Sequence, residues 1–138
     1  MRRHLHDCRT IALAALLALC SEAALTQDST KRRTFSSGYA FVEMSGEELF
    51  ANVCQGCHMP NAAGATGAGT YPSLASDPNL ESSAYGIDIV VNGRRAMPAF
   101  GDMMNDAQVA AVVNYLRTHF GNDYRDAALP KDVSVARR

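Results

Sequence analysis

Three stretches of the chain carry apolar residues at helical spacing, with polar or glycine-rich segments between them. The first follows Ser45, which forms a capping-box pattern with Glu48 and is followed by a face of Leu49, Phe50 and Val53. The second covers about 82–92, with Tyr85, Ile89 and Val90 apolar and Gly93 as its stop. The third starts near Asn105, with Gln108 as capping-box partner. Val109, Val112, Val113, Leu116 and Phe120 recur along it, and Gly121 ends it. Residues 59–72, with Pro60, Gly64, Gly67 and Gly69, read as a loop, as does 93–104. No segment shows strand alternation, so the pattern predicts an all-α fold of about three to five helices. Residues 122–138 are polar, lack a periodic core pattern and read as a tail.

The N-terminus has a different pattern. Arg2, Arg3 and Arg9 precede an unbroken apolar run from Ile11 to Leu19, and Ser21-Glu22-Ala23 follows. This is the layout of a secretory signal, with cleavage predicted after Ala23. The run is too short for the ~20 residues that span a bilayer, so no membrane span is expected after cleavage. A lipoprotein reading of Cys20 is weaker, because Leu19 stands where that signal wants a small residue. Cleavage would remove Cys8 and Cys20, leaving Cys54 and Cys57 with no spare thiol for a structural disulfide. It would leave His58 and His119 as the histidines. Residues 24–43 are polar, with Lys31-Arg32-Arg33 among Ser and Thr, and read as a linker in which Tyr39, Phe41 and Val42 could touch the domain.

At 138 residues, 47% hydrophobic and 20% charged, the chain holds one domain plus appendages. A formal net charge of −1 and the lack of a basic stripe argue against a nucleic-acid partner.

The chemistry centres on Cys54-Gln55-Gly56-Cys57-His58. Cys-x-x-Cys-His is the spacing of covalent c-type haem attachment. Each thiol adds to one porphyrin vinyl group, and the adjacent histidine becomes the proximal iron ligand. A zinc module would need a fourth ligand at suitable spacing, and a redox dithiol would sit near a βαβ pattern. Neither is present. The trans ligand is then a methionine or is absent. Met97 is favoured because it precedes Pro98, which pushes the backbone toward extended geometry in a loop. Gap-filling packing is the alternative role for Met97. Met44 precedes the first helix, Met59 adjoins the proximal ligand, and Met103 and Met104 abut the last helix. His119 lies outside the apolar stripe and reads as a surface residue. Gly64-Ala65-Thr66-Gly67-Ala68-Gly69 follows no strand, so a phosphate loop is disfavoured.

These residues carry a family resemblance. From about Ser45 to Gly121 the chain resembles a class I, single-haem cytochrome c domain. Gly46, Phe50 and Tyr115 fall where that family crosses its terminal helices. Pro72 and Leu74 are similar to its proline-leucine segment, whose proline carbonyl accepts from the haem histidine. Asn92 to Gly101 is similar to its distal methionine loop. The resemblance implies residues 44–121 as the cytochrome domain, flanked by the signal (1–23), the linker (24–43) and the tail (122–138). It implies one covalent haem c held by Cys54, Cys57, His58, Met97 and Pro72, with His58 and Met97 on the iron. The segment Ala96-Met97-Pro98-Ala99-Phe100 further resembles small cytochromes that serve periplasmic dehydrogenases of alcohols, sugars or phenols. The expected function is a periplasmic one-electron carrier, not an enzyme in itself. Its donor would be a dehydrogenase, and its acceptor a downstream cytochrome or terminal oxidase. The runner-up is a haem enzyme such as a peroxidase with an open distal site. Arg94 and Arg95 could hold haem propionates or meet an acidic partner, although a solvated pair is the commoner case.

Overall fold

The computed structural model describes residues 40–67 and 69–137. The predicted signal and the linker up to residue 39 lie outside the described residues.

Ser45 caps helix α1 (Gly46–Leu49). Its Oγ accepts the Glu48 N–H at 3.2 Å and donates to Glu48 Oε2 at 2.9 Å. A π-helical turn (Phe50–Cys54) continues the coil, and α2 (Gln55–His58) completes it. A 3-10 turn (Pro78–Glu81) leads into α3 (Ser83–Asn92), which Ser82 caps and Gly93 stops at φ +70°. Helix α4 (Asp106–Thr118) opens with the reciprocal box the sequence predicts. Gln108 N–H donates to Asn105 Oδ1 at 2.9 Å, and Asn105 N–H donates to Gln108 Oε1 at 2.8 Å. Phe120 and Gly121, both at positive φ, turn the chain away after α4.

Helices α1 and α4 cross at Gly46. A Cβ there would lie 2.2 Å from Ala111 O and 2.6 Å from Tyr115 Cβ, so only glycine permits the approach. Phe50 seals the crossing, with ring centroids 5.9 Å from Tyr115 and 4.7 Å from Phe120. The buried core joins Leu49 and Phe50 to Ile87, Val90 and Val91 of α3 and to Val109, Val112, Val113 and Leu116 of α4. Burying each of these contributes up to roughly 1.5–3 kcal/mol.

The architecture is helical as expected, with two departures. The glycine-rich loop holds a small antiparallel ribbon, β1 (Ala65–Thr66) against β2 (Thr70–Tyr71), with Ala65 opposite Tyr71. Two-residue strands are too short to show alternation in sequence. The second departure is the segment expected to be a polar tail. It forms helix α5 (Pro130–Ala136), buries Ala128 and Val133, and packs Tyr124 and Ala136 against the core. Its buried anchors are sparse, and the apolar Leu129 and Val135 stay exposed, so no helical period stands out. Phe41 and Glu43, from the end of the expected linker, also join the domain. Phe41 N–H donates to Met103 O at 3.1 Å, and Gln108 Nε2 donates to the carbonyls of Phe41 and Glu43 at 2.9 and 2.8 Å. Val42 stays exposed, and Tyr39 lies outside the described residues. Among the described residues no helix is long and apolar enough to cross a membrane.

Candidate haem site

The π turn leads directly into the motif. Gln55 N–H donates to Phe50 O five residues back, a widening that recurs at functional sites. It delivers Cys54 half-buried and Cys57 exposed, both as free thiols. Burial, with a smaller contribution from Cys57, pushes the Cys54 thiol up to about 12, so it stays protonated near neutrality.

His58 follows, with only 8% of its surface exposed. Its Nδ1 lies 3.0 Å from Pro72 O. A carbonyl oxygen can only accept, so Nδ1 donates, and in the neutral ring Nε2 keeps its lone pair. A partner of this kind fixes the ring and raises its basicity as a ligand.

The intervening loop is built to bring Pro72 there. Met59, at φ +67°, reverses the chain, and Gly64 N–H donates to His58 O at 3.0 Å. Buried Ala62, at φ +57°, offers its carbonyl to the N–H groups of Leu74 and Ala75 at 2.8 and 3.2 Å. A Cβ on Gly64 would lie 2.3 Å from Tyr71 O and 2.8 Å from Pro72 O. From the other side, buried Asn122 accepts the Asp77 N–H at 2.9 Å and donates to Leu74 O at 2.8 Å.

Met97 closes a tight turn. Arg94 N–H donates to Met97 O at 3.1 Å, and Met97 N–H returns a bond to Arg94 O at 3.0 Å, with Arg95 at φ +57° between them. A Cβ on Gly93 would meet Met97 O and Ala99 N, each at 2.7 Å. Phe100 and Gly101 then donate to Val90 O and Val91 O at 2.9 and 3.1 Å, tying the loop to α3. Met97 is half-buried against the core. Among its rivals, Met104 is a buried core residue and Met44 is exposed. Met103 is partly buried, with its carbonyl taken by Phe41. His119 is exposed, stacks on Tyr115 at 4.1 Å and places Nδ1 2.9 Å from Tyr115 O.

Two thiols one turn apart, an imidazole with a free lone pair and a loop-borne thioether match the donors that a c-type haem uses. Among the described residues no three His, Cys, Asp or Glu side chains converge to hold a metal ion.

Residues 42–116 match the family model described as cytochrome c oxidase, cbb3-type, subunit III. The chain belongs to this family of cytochrome c domains. The cytochrome c family binds haem c covalently, and the helical fold is that of a class I cytochrome. Similar proteins include the gluconate 2-dehydrogenase cytochrome c subunit of Pantoea cypripedii, 29% identical over 99% of this chain and 34% of the relative. The fructose dehydrogenase cytochrome subunit of Gluconobacter japonicus is 34% identical over 56% of this chain and 19% of its own. Cytochrome c6 of Gracilaria tenuistipitata var. liui is 33% identical over 52% of this chain and 68% of the relative. The chain therefore spans about a third or less of the two dehydrogenase subunits. A cytochrome c domain is an electron-transfer component, and the two dehydrogenase relatives carry theirs as a cytochrome subunit.

Several residues that shape the site gave no sequence signal. Ala62 adopts a left-handed conformation that alanine seldom takes. Asn122 and Arg117 are polar residues beside an apolar stripe, where composition points to the surface.

Proposed function

We propose that the chain is a periplasmic one-electron carrier domain with one covalent haem c, ligated by His58 and Met97 and reduced by a periplasmic dehydrogenase. The observation that carries the reading is the bond from His58 Nδ1–H to Pro72 O, which leaves Nε2 as a free donor beside two unpaired thiols. Cys54 and Cys57 would hold the porphyrin through thioether bonds. Pro72 would orient His58, and the turn closed by Arg94 and Met97 would hold the methionine. The bound iron supplies one-electron exchange between its ferric and ferrous states. With His58 and Met97 both serving as ligands, the metal would have no place for a substrate, and the residues around the haem would govern exchange with partners. Residues 44–121 form the carrier domain in this reading, and 122–137 an addition packed onto it.

Export rests on the N-terminal charge and apolar pattern. The dehydrogenase donor rests on the similarity to gluconate and fructose dehydrogenase cytochrome subunits. A terminal oxidase or a further cytochrome would take the electron onward.

Extraction with acidified acetone tests the attachment. The haem should stay with the chain, and Cys57→Ala should not mature into a protein carrying two thioether bonds. Complete release of the haem from the wild-type protein would overturn the reading.

A further inference from the structure

The segment after α4 does more than cover the core. It is fastened first at Arg117, whose side chain is fully buried. Arg117 Nε donates to Leu80 O at 2.8 Å, Nη2 donates to Glu81 O at 2.9 Å and to Asp126 Oδ1 at 2.6 Å, and Nη1 donates to Asp126 O. Asn114 grips the next residues from both directions. Its Nδ2 donates to Ala128 O at 2.9 Å, and its Oδ1 accepts the Ala128 N–H at 2.8 Å. Val133 is then buried in the core.

Arg137 follows α5 and reaches back across the fold to the methionine loop. Its Nη1 donates to Gly101 O, and its Nη2 donates to Met104 O at 2.6 Å. Its Nε donates to Asp106 Oδ1 at 2.6 Å, an ion pair whose side chains are 28% and 35% exposed. One planar guanidinium thus joins three acceptors at the C-terminal end of the loop that bears Met97. Gly101 fits beneath it closely. A Cβ there would lie 2.8 Å from Val91 O and 3.4 Å from Arg137 Nη1. The family match ends at residue 116, so this strap lies outside it.

We propose that Arg137 is a positioning residue: the strap of residues 122–137 clamps the 93–104 loop and so holds Met97 on the iron. This inference rests on Met97 being the distal ligand. The turn at Arg94–Met97 secures the start of the loop. At its far end Phe100 and Gly101 bond to α3, and Arg137 takes the carbonyls of Gly101 and Met104. Releasing Arg137 weakens that far end and lets the loop open more often, with α3 and α4 still folded.

Imidazole titration of the oxidised holoprotein tests the proposal, because imidazole competes with the methionine sulfur for the iron. Its apparent affinity scales with the fraction of molecules whose loop is open. Arg137→Ala should bind imidazole about tenfold more tightly, as loss of about 1.4 kcal/mol of clamping implies. Arg137→Gln, whose amide cannot span three acceptors, should move the affinity the same way by a smaller factor. Val113→Ala, a core truncation where α4 faces Gly86 of α3, lowers stability without removing a hydrogen bond between strap and loop and should leave imidazole affinity unchanged. Met97→Ala should lose the sulfur-to-iron absorption band and bind imidazole most tightly of all. Wild-type affinity in both Arg137 variants, with tighter binding in Met97→Ala, would overturn the clamp and leave the ligation intact. Persistence of the band in Met97→Ala would overturn the ligation itself, and the clamp with it. An equal affinity gain in Val113→Ala would show that general loosening, and not the clamp, governs access.

Discussion

Pro72 O fixes the tautomer of His58, and Gly64 fixes the position of Pro72 O. Gly64, at φ +69°, sits where any side chain would strike the Tyr71 and Pro72 carbonyls. Gly64→Ala should therefore cost about 1–3 kcal/mol in urea unfolding. It should also move the reduction potential upward. A weaker bond from Nδ1–H to Pro72 O makes His58 a poorer donor, which stabilises the ferric state less. An unchanged potential in a folded Gly64→Ala protein would show that this bond does not tune the iron. At this scale the proposed chemistry is legible where it is local: Cys54, Cys57 and His58 are neighbours in sequence, and Pro98 singles out Met97 as the candidate second ligand. The geometry between them is not. Ala62 takes a positive φ because its carbonyl collects Leu74 and Ala75, contacts more than ten residues distant that no local pattern encodes.

Among the elements, helix boundaries were read well because caps are local chemistry. Ser45, Ser82 and Asn105 each bond a backbone N–H three residues ahead. The addition after α4 was misread because its hold on the domain is polar and long-range. Arg117 and Asp126 are the main example. The Arg117 guanidinium beside Asp126 holds that carboxyl below the usual carboxylate range, chiefly through the side-chain hydrogen bond. The folded carboxyl is the stronger acid, so its contribution to stability is complete above pH ~4 and fades as pH falls through the folded value. The urea midpoint of Asp126→Asn should lie below wild type at pH 7, and the gap should narrow at pH ~3. A gap of equal size at both pH values would show that the carboxylate charge is not involved. Arg117→Met should be the harsher change, because it strands the carbonyls of Leu80, Glu81 and Asp126. It should cost at least about 2 kcal/mol in the same assay.

For the whole molecule, the question is how the domain meets its partner and what the iron is ligated by. Arg94 and Arg95 are exposed in the turn that ends at Met97, and Arg94 Nη1 donates to Tyr85 Oη at 3.3 Å. Electron-transfer encounters use small interfaces whose charges mainly set the encounter rate. Arg94→Glu with Arg95→Glu should slow reduction by the proposed dehydrogenase donor, most at low salt, and leave the haem spectrum unchanged. Equal rates at low ionic strength would place the docking face elsewhere. The fold class was legible at this scale because three amphipathic stretches and one motif suffice to state it. The clamp from Arg137 to the methionine loop was not, since it joins segments with no shared pattern. The most direct test of the central reading is the visible spectrum of the oxidised protein, compared between wild type and Met97→Ala. A His58/Met97 carrier predicts a low-spin wild-type iron with the weak sulfur-to-iron band at the red end, absent from the variant while the haem stays attached. A high-spin wild-type iron, or a band that survives in Met97→Ala, would contradict it.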